Sequence, residues 1–159
     1  MANGYEFAEY RHFREYGGVL LPDRSCEMKK NTYFVEWPVH PAEHFHDHAE
    51  MRLLFRQPLK RMEVVHVTLI LRGDYMLRLD TNHPHREGGV VRKGHHVHWK
   101  EDSNSKQKTS FDLMPPLDFP ETIHRGEKAE YWRVLEWFCS FSNIDTSRVD
   151  LSDLEAVKE

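Results

Sequence analysis

The chain has 159 residues, 39% of them hydrophobic and 12% aromatic, and a formal net charge of −4, which is enough apolar material for a real core in one domain. No apolar run is long enough to cross a bilayer, and the amino terminus lacks the basic-then-apolar pattern of a secretory signal, so a cytoplasmic protein with no membrane partner is expected. Two cysteines, Cys26 and Cys139, make neither a disulfide framework nor a thiolate zinc site.

In chain order, residues 5–16 read as a short helix closed by Gly17-Gly18, because Phe7 and Tyr10, then Phe13 and Arg14, recur at helical spacing. Pro22-Asp23-Arg24-Ser25 is a turn, and Thr32 to Trp37 is a strand expected to end at Pro38. A polar loop over 40–50 leads into Met51 to Arg56. Residues 64–71 and 75–80, rich in β-branched and aliphatic side chains and separated by Arg72-Gly73-Asp74, predict a hairpin. His66 within it reads as a packed or edge residue. A third strand runs from His95 to Lys100 and a fourth from Thr109 to Leu113, while Pro115, Pro116 and Pro120 make 114–126 irregular. Residues 128–142 predict a helix whose Tyr131, Val134, Leu135, Phe138 and Phe141 share one face against the sheet, with Cys139 a small core residue. The tail after Asp145 is acidic and reads as peripheral, with a short helix from Ser152.

The expected fold is therefore α+β, an antiparallel sheet of about four to six strands flanked by an N-terminal and a C-terminal helix. We expect a single domain over 1–159, with an N-terminal extension (1–60, helix and strand), a histidine-rich sheet-plus-helix core (61–144) and an acidic tail (145–159).

The histidines are not evenly spread. Between Arg78 and Lys100 lie His83, His85, His95, His96 and His98 together with Asp80, and the other seven of the twelve histidines fall elsewhere. Residues 72–108 are also the only basic third, with eight cations against five anions; residues 1–71 hold nine against ten, and 109–159 five against eleven. An acidic total argues against a protein that coats duplex nucleic acid, whereas a local basic site for a phosphate-bearing substrate fits. Successive side chains on a strand point to opposite faces. Tyr75, Leu77 and Leu79 then share one face and Met76, Arg78 and Asp80 the other, while His96, His98 and Lys100 oppose Val97 and Trp99. Pairing of the two strands gives one polar surface of Arg78, Asp80, His96 and His98, onto which His85 can fold from a loop marked by Pro84 and Gly88-Gly89. A second cluster, His40, His44, His46 and His48 with Asp47 and Glu50, fails the metallo-β-lactamase spacing. It formally meets a first cupin motif at His44, His46 and Glu50, but without the usual preceding glycine or a second motif.

The central stretch resembles a family of small, poorly characterised bacterial proteins that carry Arg-Leu-Asp, a Pro-x-His loop, a glycine turn and a Gly-x-His-x-His strand before a C-terminal helix. The matching positions are Arg78, Leu79, Asp80, Pro84, His85, Gly94, His96 and His98, within about residues 62–144. The pattern is loosely similar to TumE-type toxins of toxin–antitoxin pairs, which implies action on RNA and a cognate antitoxin or other protein partner. The chain departs from the pattern in lacking an Asn-Pro-Asp-Gly turn and in carrying His83 and His95 besides.

Three chemistries suit these residues. In RNA cleavage without metal, His96 or His98 takes the ribose 2′-hydroxyl proton and His85 protonates the leaving oxygen. Asp80 orients an imidazole, and Arg78, Arg86 and Lys100 bind substrate and offset charge on the phosphorane. Alternatively His85, His96 and His98 hold a divalent metal such as zinc, structural or water-activating. The third reading is a non-catalytic protein-binding module of a phage or defence system. The expectation adopted is the toxin-like endoribonuclease, since it uses the basic third, the paired histidines and the resemblance together.

Overall fold

The computed structural model describes residues 5–42, 50–71, 73–99, 107–124 and 126–154. Helix α1 (Tyr5–Tyr16) leads into strands β1 (Gly18–Leu20), β2 (Ser25–Lys29), β3 (Thr32–Pro41), β4 (Met51–Pro58), β5 (His66–Leu71) and β6 (Asp74–Asp80). There follow β7 (His85–Glu87), β8 (Val90–Arg92), β9 (His96–Trp99), β10 (Lys108–Ser110), helix α2 (Tyr131–Phe141), β11 (Ile144–Asp145) and a 3-10 turn at Leu151–Asp153.

Among the described residues, nine strands form one sheet in the order β10-β9-β6-β5-β4-β3-β1-β11, with β2 also paired to β3, and β7-β8 make a separate hairpin. All pairings are antiparallel except β1 with β11. A mostly antiparallel sheet with two helices is therefore present, but the expected four to six strands are too few. The shortfall lies mainly in the first 60 residues, where β1 to β4 continue the sheet beyond β5. Short strands such as Gly18–Leu20 carry too few residues for alternation to announce them.

Alternation does set the longer strands. In β3 and β4, Val35, Trp37, Val39, Met51, Leu53 and Phe55 are buried while their neighbours are not. These side chains join Val67, Leu69, Leu79 and Val97 in one core that takes Tyr10 and Phe13 from α1 and Tyr131, Val134, Leu135 and Phe138 from α2. The two helices thus feed one core, rather than flanking the sheet as separate layers. The Phe55 and Tyr131 rings lie 5.3 Å apart, and the Tyr131 hydroxyl donates to the Met62 carbonyl at 2.8 Å.

Three local expectations are corrected. Pro38 does not end its strand, because there β3 changes partner: β2 stops opposite Glu36, β4 begins beyond Pro38, and β1 takes over from Val39. The missing N–H falls where a ladder bond is least needed, and the Pro38 carbonyl still accepts from Leu21 N at 3.0 Å. In β6 a bulge opposite Leu69 and Ile70 shifts the register, so Tyr75 pairs with Ile70 and Met76, instead of sharing a face with Arg78, is buried in the core. Finally the described part of the tail is not peripheral, since Leu151 and Leu154 are buried in the main core.

Candidate functional site

The site lies on the sheet face opposite the apolar core. Directly opposed residues in an antiparallel ladder share a face, and the register runs His66 to Asp80 to His96 across β5, β6 and β9, with Thr68, Arg78 and His98 in the next row and Thr109 of β10 beside His98. Asp80, His96 and His98 are at most 2% exposed and His66 is 7% exposed, so a carboxylate and three imidazoles sit together out of water.

Burial of that kind is costly unless each polar atom is answered. His66 Nδ1 donates to Asp80 Oδ1 at 2.5 Å. On the other oxygen, Oδ2, His98 Nε2 approaches at 3.0 Å and His96 Nε2 at 3.5 Å. Arg78 Nε lies 3.2 Å from Oδ1 but is aimed too poorly to bond, and it is left without a hydrogen-bond partner. Burial alone pushes the Asp80 carboxyl up; the hydrogen bonds from His66 and His98 outweigh it and hold the group far below the usual carboxylate range. Asp80 is an anion at neutral pH.

That charge assigns the tautomers. His98 turns Nε2–H toward Asp80, so its Nδ1 is an acceptor, and it takes bonds from Thr109 Oγ1 and Gln107 Nε2, each at 2.8 Å. Gln107 is held in turn by the Tyr75 hydroxyl, which donates to its Oε1 at 2.7 Å. Burial pulls the His98 pKa down against the raising effect of Asp80. His96 is the other way round. Its Nδ1 is 2.9 Å from the Gly94 carbonyl, which can only accept, so Nδ1 carries the proton. His96 Nε2 is then buried, without a hydrogen-bond partner, and its lone pair faces a carboxylate oxygen.

His85 reaches the cluster from β7. The β7–β8 hairpin turns through Gly88 and Gly89, both at positive φ (58° and 82°), the two-residue turn that suits the twist of paired strands. It brings the His85 ring to 5.1 Å from His98 and 5.7 Å from His96, whose own rings are 4.6 Å apart. His85 Nε2 is 3.4 Å from Thr109 Oγ1. His85, Thr109, Arg92 and Asp112 line an open cleft of about 350 Å³ between the hairpin and β10. One nitrogen from each of His85, His96 and His98 lies within 4.8 Å of the others. Around a single zinc-type ion at about 2.0–2.1 Å such nitrogens would stand about 3.3 Å apart, so the three would have to draw together around it. The unanswered His96 Nε2 fits a cation, and so does the anionic Asp80 behind the ligands.

Asp80, His85, His96 and His98 are therefore brought together, with Arg78 at their edge. Arg86 is exposed on β7, and Lys100 lies outside the described residues, as do His44, His46 and His48 of the second histidine cluster. His40 is exposed on β3, which three strands separate from β9, and Glu50 pairs with Arg52. His83 is exposed, its ring 5.4 Å from His66. His95 points away from the cluster: Nε2 donates to the Phe119 carbonyl at 3.1 Å and Nδ1 accepts from Asn82 N at 3.3 Å, so it ties the irregular 114–124 segment to the end of β6. Burial lowers the pKa of both His83 and His95.

Sequence reasoning took His66 as a packed residue, which it is, but missed that it is also the closest partner of Asp80. The hairpin register would have revealed it. Thr109, Gln107 and Tyr75 had no signal in sequence, since only the pairing of β10 with β9 and the bulge in β6 bring them to His98. Compared with models of known families, with curated proteins and with solved structures, the chain matches none, so this geometry alone speaks for its function.

Proposed function

We propose that the protein binds a divalent metal of zinc type through His85, His96 and His98, and that the metal-bearing cleft is a hydrolytic site. The observation that carries this reading is His96 Nε2, a buried imidazole nitrogen without a hydrogen-bond partner, 3.5 Å from a carboxylate oxygen. Two facing acceptors repel unless something positive stands between or beside them, and an ion held by three imidazoles supplies it. Asp80 serves beneath the ligands by holding His98 Nε2–H, as carboxylates behind ligating histidines do, so Nδ1 is the His98 nitrogen that would ligate, giving up its bonds from Thr109 and Gln107 to do so. Such an ion would polarise a phosphoryl or carbonyl oxygen and lower the pKa of a water. Arg92 puts positive charge in the lining of the cleft beside His85, and Asp112 puts a carboxylate there.

A second reading, the toxin-like cleavage of RNA without metal, is favoured by one feature. Asp80 bonded to His98 is the pairing that orients a general base, with half-buried His85 as the acid. It asks His98, at 2% exposure, to meet a ribose hydroxyl, which the metal reading does not require.

Zinc titrated into chelator-stripped protein, followed by competition with a chromophoric chelator, is expected to give one site per chain. His96→Ala should weaken it at least 100-fold and Asp80→Asn about 10- to 100-fold. Equal affinity in wild type and His96→Ala would sink the metal site. RNA cleavage that survives chelation but is lost in His85→Ala would install the second reading in its place.

A further inference from the structure

A second concavity lies on the same face of the sheet, away from the three histidines. It is an open groove of about 360 Å³ whose lining includes Lys29, Lys30, Phe34, Arg56 and His66, a volume at the low end for ligand clefts. These cations come from distant parts of the chain. Lys29 ends β2, Lys30 sits in the two-residue turn before β3 with a positive φ of 50°, and Arg56 is on β4. Burial lowers the pKa of Arg56; the charge of Asp80 opposes that and the charge of Arg78 adds to it. Among the described residues no hydrogen bond engages the Arg56 guanidinium. A half-buried guanidinium, two lysines and an aromatic ring, with no carboxylate in the lining, are what a phosphate ester with an attached base calls for.

The groove is joined to the candidate metal site by the register of the sheet. Phe34 opposes Arg56, Arg56 opposes His66, His66 opposes Asp80, and Asp80 opposes His96, so all five lie in one row across the strands. At about 4.8 Å per strand, Arg56 is about 14 Å from His96. A lone phosphate cannot reach both ends of that row, whereas a chain of several nucleotides can.

We infer that the Lys29–Lys30–Arg56 groove binds a phosphate of single-stranded nucleic acid, with a base on Phe34, and that a longer strand continues from the groove over the side chains that cover the buried row of His66, Asp80 and His96. The inference deepens the proposed function by naming the substrate class of that site, and it rests on that reading only for what happens at the far end. Lys29 and Lys30 supply long-range attraction and Arg56 a bidentate contact. His66, whose Nδ1 is held by Asp80, joins the groove to the buried carboxylate.

The test is fluorescence anisotropy of a labelled single-stranded RNA of about a dozen nucleotides, with chelator present throughout. Arg56→Met, which keeps the aliphatic stem, is expected to weaken binding about ten- to a hundredfold, and Phe34→Leu about tenfold. Lys29→Ala with Lys30→Ala should flatten the dependence of log K on log salt by about 0.7 for each phosphate that the two lysines neutralise. Wild-type protein stripped of metal should still bind the RNA, and Arg56→Met should take up zinc as wild type does, so failure of the groove and failure of the metal site are separately visible. Unchanged RNA affinity in Arg56→Met overturns the inference, as does a mononucleotide that competes as well, mole for mole, as the oligomer.

Discussion

At the scale of single residues, buried polar atoms that hold the fold contrast with those left, among the described residues, without a hydrogen-bond partner, namely Trp37 Nε1, both amide atoms of Gln57, Arg78 Nε and His96 Nε2, of which only His96 Nε2 belongs to the three-histidine group. Thr81 and Asn82 belong to the first group: Thr81 Oγ1 donates to the Glu63 carbonyl at 2.7 Å, and Asn82 Nδ2 donates to the carbonyls of Glu63 and Pro120 at 2.9 and 2.8 Å. His96 Nε2 is the contrast. Residue chemistry away from the site gives a pH prediction. Burial pushes the Tyr10 hydroxyl from 10.0 up to about 12 and the Cys139 thiol from 9.0 up to about 12. In the unfolded chain both ionise first, so their stabilisation is complete below about pH 9 and is lost as pH rises toward 12. The urea midpoint is expected to hold level to about pH 9 and then fall. Tyr10→Phe loses the 3.2 Å bond to Ser142 Oγ, which costs about 1 kcal/mol at neutral pH, and should make the alkaline fall shallower. A fall as steep as wild type's would show that Tyr10 is not its source.

At the scale of elements, the β7–β8 hairpin is the piece that makes a cluster out of a sheet face. Read as a loop in the sequence, it is three residues a side around Gly88-Gly89, too short for alternation to register, although paired glycines between extended segments are themselves a hairpin signal. Its strands pair only with each other, and Val90 and Val91 are exposed at 68% and 52%, so its position depends on the turn, on what His85 touches and on Arg92 over the Phe111 ring at 4.2 Å. Replacing Gly88 and Gly89 together by Ala, which puts a Cβ on two positive-φ residues, costs about 1 kcal/mol apiece. Because the hairpin contributes little to the core, the global urea midpoint should move little while zinc affinity drops about tenfold or more. A large loss of global stability with zinc affinity intact would reverse that assignment.

At the scale of the whole molecule, α1, β11 and residues 151–154 close the core. Between β11 along β1 and the Arg14 Nε bond to the Phe141 carbonyl at 2.7 Å, α1, α2 and the last strand form one corner. Leu151 and Leu154, at 5% and 4% exposure, fold back beneath it. Leu→Ala in a core costs about 2–5 kcal/mol, so Leu151→Ala with Leu154→Ala is expected to lower stability by several kcal/mol without altering zinc stoichiometry. A double variant within about 0.5 kcal/mol of wild type in chemical denaturation would mean that the tail is peripheral after all.

Much of this was written in local pattern. The period of the side chains placed α1, α2, the β5–β6 hairpin and β9, and it put Asp80, His96 and His98 on one face, because alternation is a property of the backbone that needs no tertiary partner. What depended on distant neighbours was not readable. Pro38 stays within a strand because β1 arrives from elsewhere, Tyr75 and Met76 exchange faces because of a bulge against β5, and His66 meets Asp80 through register. Lys29, Lys30 and Arg56, in a stretch of the chain with no net positive charge, become a cationic groove only when three strands align. Sequence determined which face each side chain takes along its own strand. Tertiary structure decided which strands lie side by side, and the chemistry of this face depends on that adjacency, since a charge or a lone pair acts on whatever stands within a few ångströms of it.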